Sequence, residues 1–269
     1  MKIGMVLPPL KRNDMKIRIL GCSGGIGGPH LRTTSFLIDQ DILIDAGTGV
    51  GDLSFSELLQ IDHVFITHSH LDHVTSLAFI VDSVGDRRDR PLIVHATQAT
   101  IEILHTHIFN WVIWPDFTVL PSEDKPFLIF SPIHAGQAID IGGRKITPLP
   151  ANHTVPAVGY QIDSGRGSLV FSGDTGPCPN FWAAVNKIEN LRYLIIECAF
   201  PNREMQLAKA SLHLCPSMLM DELAQLERAA KILITHLKPG QIELTMHEIQ
   251  AGVGEHHPAM LQGNQVFEI

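Results

Sequence analysis

The sequence predicts a single α/β domain whose strands fall into two sets, and three observations predict it. Short apolar or alternating runs recur from residue 16 to residue 235, each of strand length. Helix-like stretches are interspersed among them rather than gathered into a block. No repeat, low-complexity tract or linker divides the chain, so residues 15–269 read as one domain. Residues 1–14 precede the first clear strand and read as an N-terminal tail.

Lys16-Ile-Arg-Ile-Leu20 alternates polar and apolar residues, as a half-buried strand does. The glycine stretch Gly21–Gly28 follows, then strands at Ser35–Asp39 and Asp41–Asp45. A glycine-rich run can cradle phosphate, but no helix pattern follows this one, so it reads as a structural turn. Val64–Thr67 is a short buried strand running into a histidine cluster, and Leu71–Val84 reads as a helix. A strand at Leu92–His95 and a helix at Thr97–Phe109 come next. Residues 110–125 are aromatic and proline-bearing, without period. Strands resume at Phe127–Phe130, Lys145–Leu149, Ala157–Ile162 and Ser168–Phe171. A helix near Asn180–Asn186 precedes a strand at Tyr193–Ile196. Pro216–Arg228 is an amphipathic helix opened by proline, and Lys231–Thr235 a last buried strand.

Bulk properties narrow the function. Apolar residues make up 45% of the chain, enough for a large core, yet no window is apolar for the length of a membrane span. No cleavage site follows the partly apolar amino terminus, so a cytoplasmic protein without a membrane partner is expected. Cys22, Cys178, Cys198 and Cys215 are scattered and form no disulfide framework. The net charge is −8, with no run of Lys or Arg to displace counterions from a long nucleic acid. A small substrate is expected. Oligomeric state is not legible, a homodimer being a common arrangement among soluble enzymes.

The chemistry begins at His68-Ser-His-Leu-Asp-His73. Residues two apart on an extended segment point the same way, so His68 and His70 can hold one metal together. Asp72 and His73 fall where the chain turns into a helix and face a neighbouring point. Imidazole and carboxylate suit zinc and related ions. Among 15 histidines a chance cluster competes with this reading, but the position directly after a buried strand argues against chance. Four residues cannot fill two coordination shells, so more ligands are expected at strand ends. The candidates are His153, Asp174 and His236, each following an apolar strand.

This order, H-x-H-x-D-H and then His, Asp and His after successive strands, resembles the metallo-β-lactamase superfamily from Met15 onward. The resemblance implies an αββα four-layer sandwich, two sheets flanked by helices with metals at one edge. It implies two divalent cations per chain, zinc first, with manganese or iron acceptable to the same donors. His68, His70 and His153 would hold one cation, Asp72, His73 and His236 the other, and Asp174 would bridge them. Asp45 matches a carboxylate that supports the ligands from behind; a strand-ending turn residue is its competing reading.

The carboxyl-terminal third resembles two phosphodiesterase branches of that superfamily: the tRNA 3′-processing ribonuclease Z group and the class II cyclic-nucleotide phosphodiesterases. Both place a glutamate and a histidine as Glu197 and His213 stand here. The ribonuclease Z arm has no room between His153 and Asp174. Phe109–Asp116, Gly173–Pro177 and the run ending at Asn202 look more like the cyclic-nucleotide group. That group's signature, H-x-H-L-D-H-x-x-G, ends in a glycine, where this chain has Ser76 on the helix after the ligands; the metal site is expected to survive the change.

The resemblance therefore implies a two-metal phosphodiesterase converting 3′,5′-cyclic nucleotides to nucleoside 5′-monophosphates. Asp72 would orient the attacking water, and His213 would act as general acid or phosphate contact, its tautomer held by Glu197. Helix-start and strand-end residues without a catalytic task are the competing readings of that pair. Asn110 and Trp111 are candidate substrate contacts in an aromatic segment that would serve equally as a core plug or dimer contact. The alternatives are a ribonuclease or other phosphodiesterase, a thioester or lactone hydrolase, and a metal-binding protein without catalysis. His105, His107, His256 and His257 lack a ligand context.

Overall fold

A computed structural model describes residues 14–28, 30–252 and 256–269. The tail reading for residues 1–14 thus lies outside the described residues, apart from Asp14. The first half of the chain builds β1 (Lys16–Gly21), β2 (Ser35–Ile38), β3 (Ile42–Ile44), α1 (Phe55–Leu58), β4 (His63–Phe65), α2 (Leu71–Val74), α3 (Leu77–Val84), β5 (Leu92–Ala96) and α4 (Gln98–His107). A two-stranded ribbon, β6 (Pro121–Ser122) and β7 (Lys125–Pro126), leads to β8 (Leu128–Pro132). The second half builds β9 (Ile139–Ile141), β10 (Arg144–Pro150), β11 (Val158–Asp163), β12 (Ser168–Phe171), α5 (Pro179–Val185), β13 (Leu191–Glu197), α6 (Met205–Ser211) and α7 (Pro216–Leu223). It closes with β14 (Lys231–Thr235), α8 (Ile242–Gly252), β15 (Ala259–Met260) and β16 (Val266–Glu268).

The strands form two seven-stranded sheets, ordered β16-β1-β2-β3-β4-β5-β8 and β15-β14-β13-β12-β11-β10-β9. Strand periodicity decides what lies between and outside them. On β2 and β3, Phe36, Ile38, Ile42 and Ile44 point inward and meet Tyr160, Ile162, Leu169 and Phe171 of the other sheet. Their neighbours Leu37 and Leu43 point outward into a second core with Leu77, Ile80, Val81 and Val84 of α3 and Ile101 and Leu104 of α4. On the far side, Val170, Leu194 and Ile234 pack under Trp182 of α5, Leu219 of α7 and Ile249 of α8. Strands covered on both faces read as continuous apolar runs, which is the pattern of Leu194–Ile196 and Ile232–Ile234. The result is the four-layer αββα sandwich, helices outside and sheets within.

Two expected elements differ. The stretch Leu71–Val84 is two helices, not one, because the Ser76 N–H leaves the helical ladder and donates to the Ala46 carbonyl at 2.8 Å. Ser76 Oγ donates to the Gly47 carbonyl, also at 2.8 Å. The helix expected over Pro216–Arg228 stops at Leu223. Gln225 and Leu226 tighten into i→i+3 bonds, and Asn186 then captures the Glu227 N–H and the Arg228 guanidinium.

Tyr160 ties the two sheets at the edge that matters for function. Its hydroxyl, fully buried, donates to the Ile66 carbonyl at 2.7 Å, and the Val158 N–H donates to the Thr67 carbonyl at 3.0 Å. Replacing Tyr160 with Phe leaves the Ile66 carbonyl without its partner, so the expected cost is about 1–3 kcal/mol of stability in urea unfolding. A loss below a few tenths would show that water restores the bond.

Candidate metal centre

Parallel strands bring distant residues to one edge because their carboxyl ends point the same way. In the first sheet β3, β4 and β5 run parallel, and in the second so do β12, β13 and β14. β10 shares the direction of β12, each being antiparallel to the β11 between them. Asp45 follows β3, His68 follows β4, His153 follows β10, Asp174 follows β12, Glu197 ends β13 and His236 follows β14. Each is a polar residue displayed where a buried strand runs out.

Asp45 is the innermost of them. It is fully buried, with a left-handed backbone at φ 57°. One carboxylate oxygen accepts the Thr67 N–H at 2.8 Å, and the other accepts Nδ1–H of His73 at 2.7 Å. The Thr67 hydroxyl lies 2.9 Å from that second oxygen and 3.0 Å from His68 Nδ1. Burial raises the pKa of Asp45 even against the pull of His73 and Thr67. With Nδ1 committed, His73 presents Nε2 to the centre, and His68 does the same.

Two groups of ligand-type atoms result: His68, His70 and His153, and then Asp72, His73, Asp174 and His236, the atoms of each group lying within 4.8 Å of one another. Asp174 sits between the groups. Its carboxylate is 3.7 Å from His68 Nε2, 3.3 Å from His73 Nε2 and 3.2 Å from His236 Nδ1. His153 donates Nδ1–H to the Leu212 carbonyl at 3.0 Å, leaving Nε2 3.1 Å from His70 Nδ1. The structure thus brings together all seven residues expected from the sequence.

These residues fit a divalent metal. Among the described residues, the buried nitrogens His68 Nε2, His73 Nε2 and His236 Nδ1 have no hydrogen-bond partner, although buried polar atoms ordinarily do. Burial pushes the pKa values of His68, His70, His153 and His236 down, keeping these imidazoles in the neutral form that ligates a cation. His73 goes the other way. Burial opposes its charge, but Asp174 and Asp45 outweigh that and hold its pKa well above the ordinary value. A buried pair of carboxylates is thus drawing a positive charge into the centre, the role a cation would take.

Glu197 and His213 form a second buried unit beside the first. His213 donates Nδ1–H to Glu197 Oε1 at 2.6 Å, and Glu197 also accepts N–H groups from Thr175 at 3.0 Å and Leu214 at 3.2 Å. Burial raises the pKa of Glu197, in spite of His213. It also opposes charge on His213, where the Glu197 carboxylate prevails and raises the pKa. His213 lies close enough to His153 and Asp174 for the three to form another ligand-type group.

The aromatic segment is organised around its own turn. Asn110 spends its side chain on its own turn, donating to the Thr106 carbonyl and accepting the N–H groups of Val112 and Ile113. Phe109 and Phe117 plug the outer core, while Trp111, Val112 and Ile113 are exposed. Three contributors escaped the sequence reading: Thr67, the Leu212 carbonyl and the Thr175 N–H. Only Thr67, in the strand entering the histidine cluster, left a signal. The glycine stretch is a turn packed on His236, where a Cβ at Gly24 would overlap the His236 carbonyl.

Comparison with known proteins agrees with this architecture. The family described as the beta-lactamase superfamily domain matches residues 40–237. A relative from Yersinia pestis named as a probable 3′,5′-cyclic-nucleotide phosphodiesterase is 26% identical, over 94% of this chain and 90% of its own length. A ribonuclease Z from Halorubrum lacusprofundi is 24% identical over 56% of this chain and 48% of its own length. The solved structure of unliganded yeast PDE1 superposes with a TM-score of 0.79 at 18% identity, covering 96% of this chain and all of that one, 100%.

Asp45→Ala removes the carboxylate that fixes His73. Metal affinity, measured by competition with a chromophoric chelator, is expected to fall about 10- to 100-fold. An unchanged affinity would assign Asp45 to the turn alone.

Proposed function

Because this chain belongs to the beta-lactamase superfamily, we propose that it is a dinuclear-metal phosphodiesterase converting 3′,5′-cyclic nucleotides to nucleoside 5′-monophosphates. The observation that carries the reading is the buried Glu197–His213 pair, 2.6 Å apart, standing beside the His/Asp cluster. Attack by a water needs only the cluster. Expelling a ribose alkoxide needs a proton donor as well, and a further imidazole oriented by a carboxylate supplies one.

We assign His68, His70 and His153 to one cation, Asp72, His73 and His236 to the other, and Asp174 to both, with zinc preferred over manganese and iron. When bound, such a pair lowers the pKa of a water and neutralises charge growing on the phosphoryl group. Asp72, the most exposed acid of the cluster at 28% for its side chain, accepts a hydrogen bond from the attacking water and aims it at phosphorus. Asp45, through His73 and Thr67, keeps the imidazoles from turning. His213 carries its proton toward the departing 3′-oxygen on Nε2, since Nδ1–H is held by Glu197. Its raised pKa keeps that proton available near neutrality.

Two observations favour a small cyclic substrate over a tRNA precursor. The residues between His153 and Asp174 are taken up by β11 and β12, leaving no span for a nucleic-acid arm. The relative named as a cyclic-nucleotide phosphodiesterase matches nearly the whole chain, and the ribonuclease Z only about half of it.

His213→Ala is expected to keep its metal content while turnover falls roughly 100- to 10,000-fold; unchanged turnover sinks the general-acid role. The substrate reading is tested with cyclic AMP, cyclic GMP, bis(p-nitrophenyl) phosphate, a short RNA and a thioester. Cleavage of both cyclic nucleotides ahead of RNA is the expected result. Hydrolysis of the thioester alone overturns it, and metal binding with no hydrolysis at all would make the protein a binder.

A further inference from the structure

Lys238 stands two residues beyond His236, half-buried, in the turn after β14. Its ammonium donates to the Gly24 carbonyl at 2.7 Å and lies 3.4 Å from His236 Nε2. That same nitrogen is 3.8 Å from Asp72 Oδ2. Asp72 has the most exposed side chain of the clustered carboxylates, at 28%, so the His236 nitrogen nearest Lys238 is also the one that faces the open side of the centre. His213 occupies a face of the same His236 ring, stacked at 5.1 Å and 19°. Phe200 joins the two, with its ring 5.7 Å from that of His213 and 5.9 Å from Lys238 Nζ. Lys238 and His213 thus share a wall built on Phe200 and His236.

Charge gives this placement a purpose. Asp45, Asp72, Asp174 and Glu197 put four carboxylates into the centre, in a chain whose net charge is −8. Two divalent cations would balance those four, so the positive charge left to attract a phosphodiester anion is that of the side chains beside them, the protonated His213 and Lys238. Among the described residues, Lys238 is the one Lys or Arg within hydrogen-bond distance of a member of the cluster, at 3.4 Å. An ammonium has three donors. One is used by Gly24; with Nδ1 of His236 turned to the centre its Nε2 carries the hydrogen and accepts none, so the other two are available to an anion.

We propose that Lys238 holds a non-bridging phosphoryl oxygen of the substrate, forming an anion subsite at the open side of the centre. The inference rests on the phosphodiesterase reading and adds a residue to it. Lys238 makes and breaks no covalent bond; it binds the anion and keeps its charge compensated as the phosphoryl group is transferred. The competing role is a strut fastening the glycine-rich turn to the turn after β14. That role needs the bond to Gly24 but is indifferent to substrate charge.

The test uses the full chain loaded with metal, as wild type, Lys238→Met and Lys238→Arg. Kinetics on bis(p-nitrophenyl) phosphate and calorimetric binding of inorganic phosphate are read beside metal content and melting temperature. Lys238→Met is expected to raise KM and weaken phosphate binding roughly 10- to 100-fold, as loss of a charge-assisted bond should. Lys238→Arg recovers most of both, with metal content and melting temperature unchanged throughout. Phosphate binding as tight in Lys238→Met as in wild type overturns the proposal. So does an equal loss in both variants accompanied by a lower melting temperature, which marks a strut. Should the wild type cleave no phosphodiester, the functional reading fails by itself, and the phosphate titration still decides whether Lys238 binds the anion.

Discussion

Asp45 is a carboxylate sealed away from water at the end of a short strand, and the arrangement of the centre follows from satisfying it. An ionised side chain in such a place is costly unless donors surround it. Here the donors are the Thr67 backbone, the Thr67 hydroxyl and the His73 ring. Meeting that demand fixes Thr67 where the chain leaves β4, and with it the direction in which His68 departs. It fixes His73 one turn into the next helix and decides which nitrogen of each ring faces inward. The second sheet is held against the same spot, since Tyr160 and Val158 bond to Ile66 and Thr67.

Backbone strain gathers in the same place. Asp45, Leu212 and His236 all have positive φ, at 57°, 51° and 61°, a region that costs a non-glycine residue of order 1–3 kcal/mol. Each spends it on direction. Asp45 turns its side chain back under the histidines. Leu212 aims its carbonyl at His153 and starts the turn that delivers His213. His236 lets its strand end abruptly while its N–H still reaches the Cys22 carbonyl at 2.9 Å. Such strain persists where the surroundings over-determine it, and here the surroundings are two seven-stranded sheets.

Much of this was legible in the sequence. The runs Leu194–Ile196 and Ile232–Ile234 announce strands buried on both faces, and the polar residues ending them announce an edge. Elements of two or three residues such as β15 and β16 carry too little pattern to be seen, and α6 and α8 went unread as well. The break at Ser76 was invisible because it depends on a carbonyl thirty residues upstream. The clustering of His68, His70, Asp72, His73, His153, Asp174 and His236 could be anticipated, because side chains at strand ends are placed by the sheet. Leu212 could not, since the work is done by its carbonyl and nothing in a leucine foretells a left-handed backbone. Lys238 was passed over because a lone lysine in a turn is ordinarily solvated.

The pairing of β16 with β1 bears on the order in which the molecule can be assembled. Lys16, Ile17 and Arg18 take Glu268, Phe267 and Val266 as partners, and Met15 and Ile269 exchange backbone bonds beside them. β1 therefore keeps one side unpaired until Val266, Phe267 and Glu268 reach it. In the interval it offers a row of free N–H and carbonyl groups to any other extended chain. Contacts so distant in sequence also form slowly, because the loop they close is nearly the whole chain. Until β16 docks, β1 is the border of the first sheet, and afterwards the short β16 takes that place at the end of the strand order.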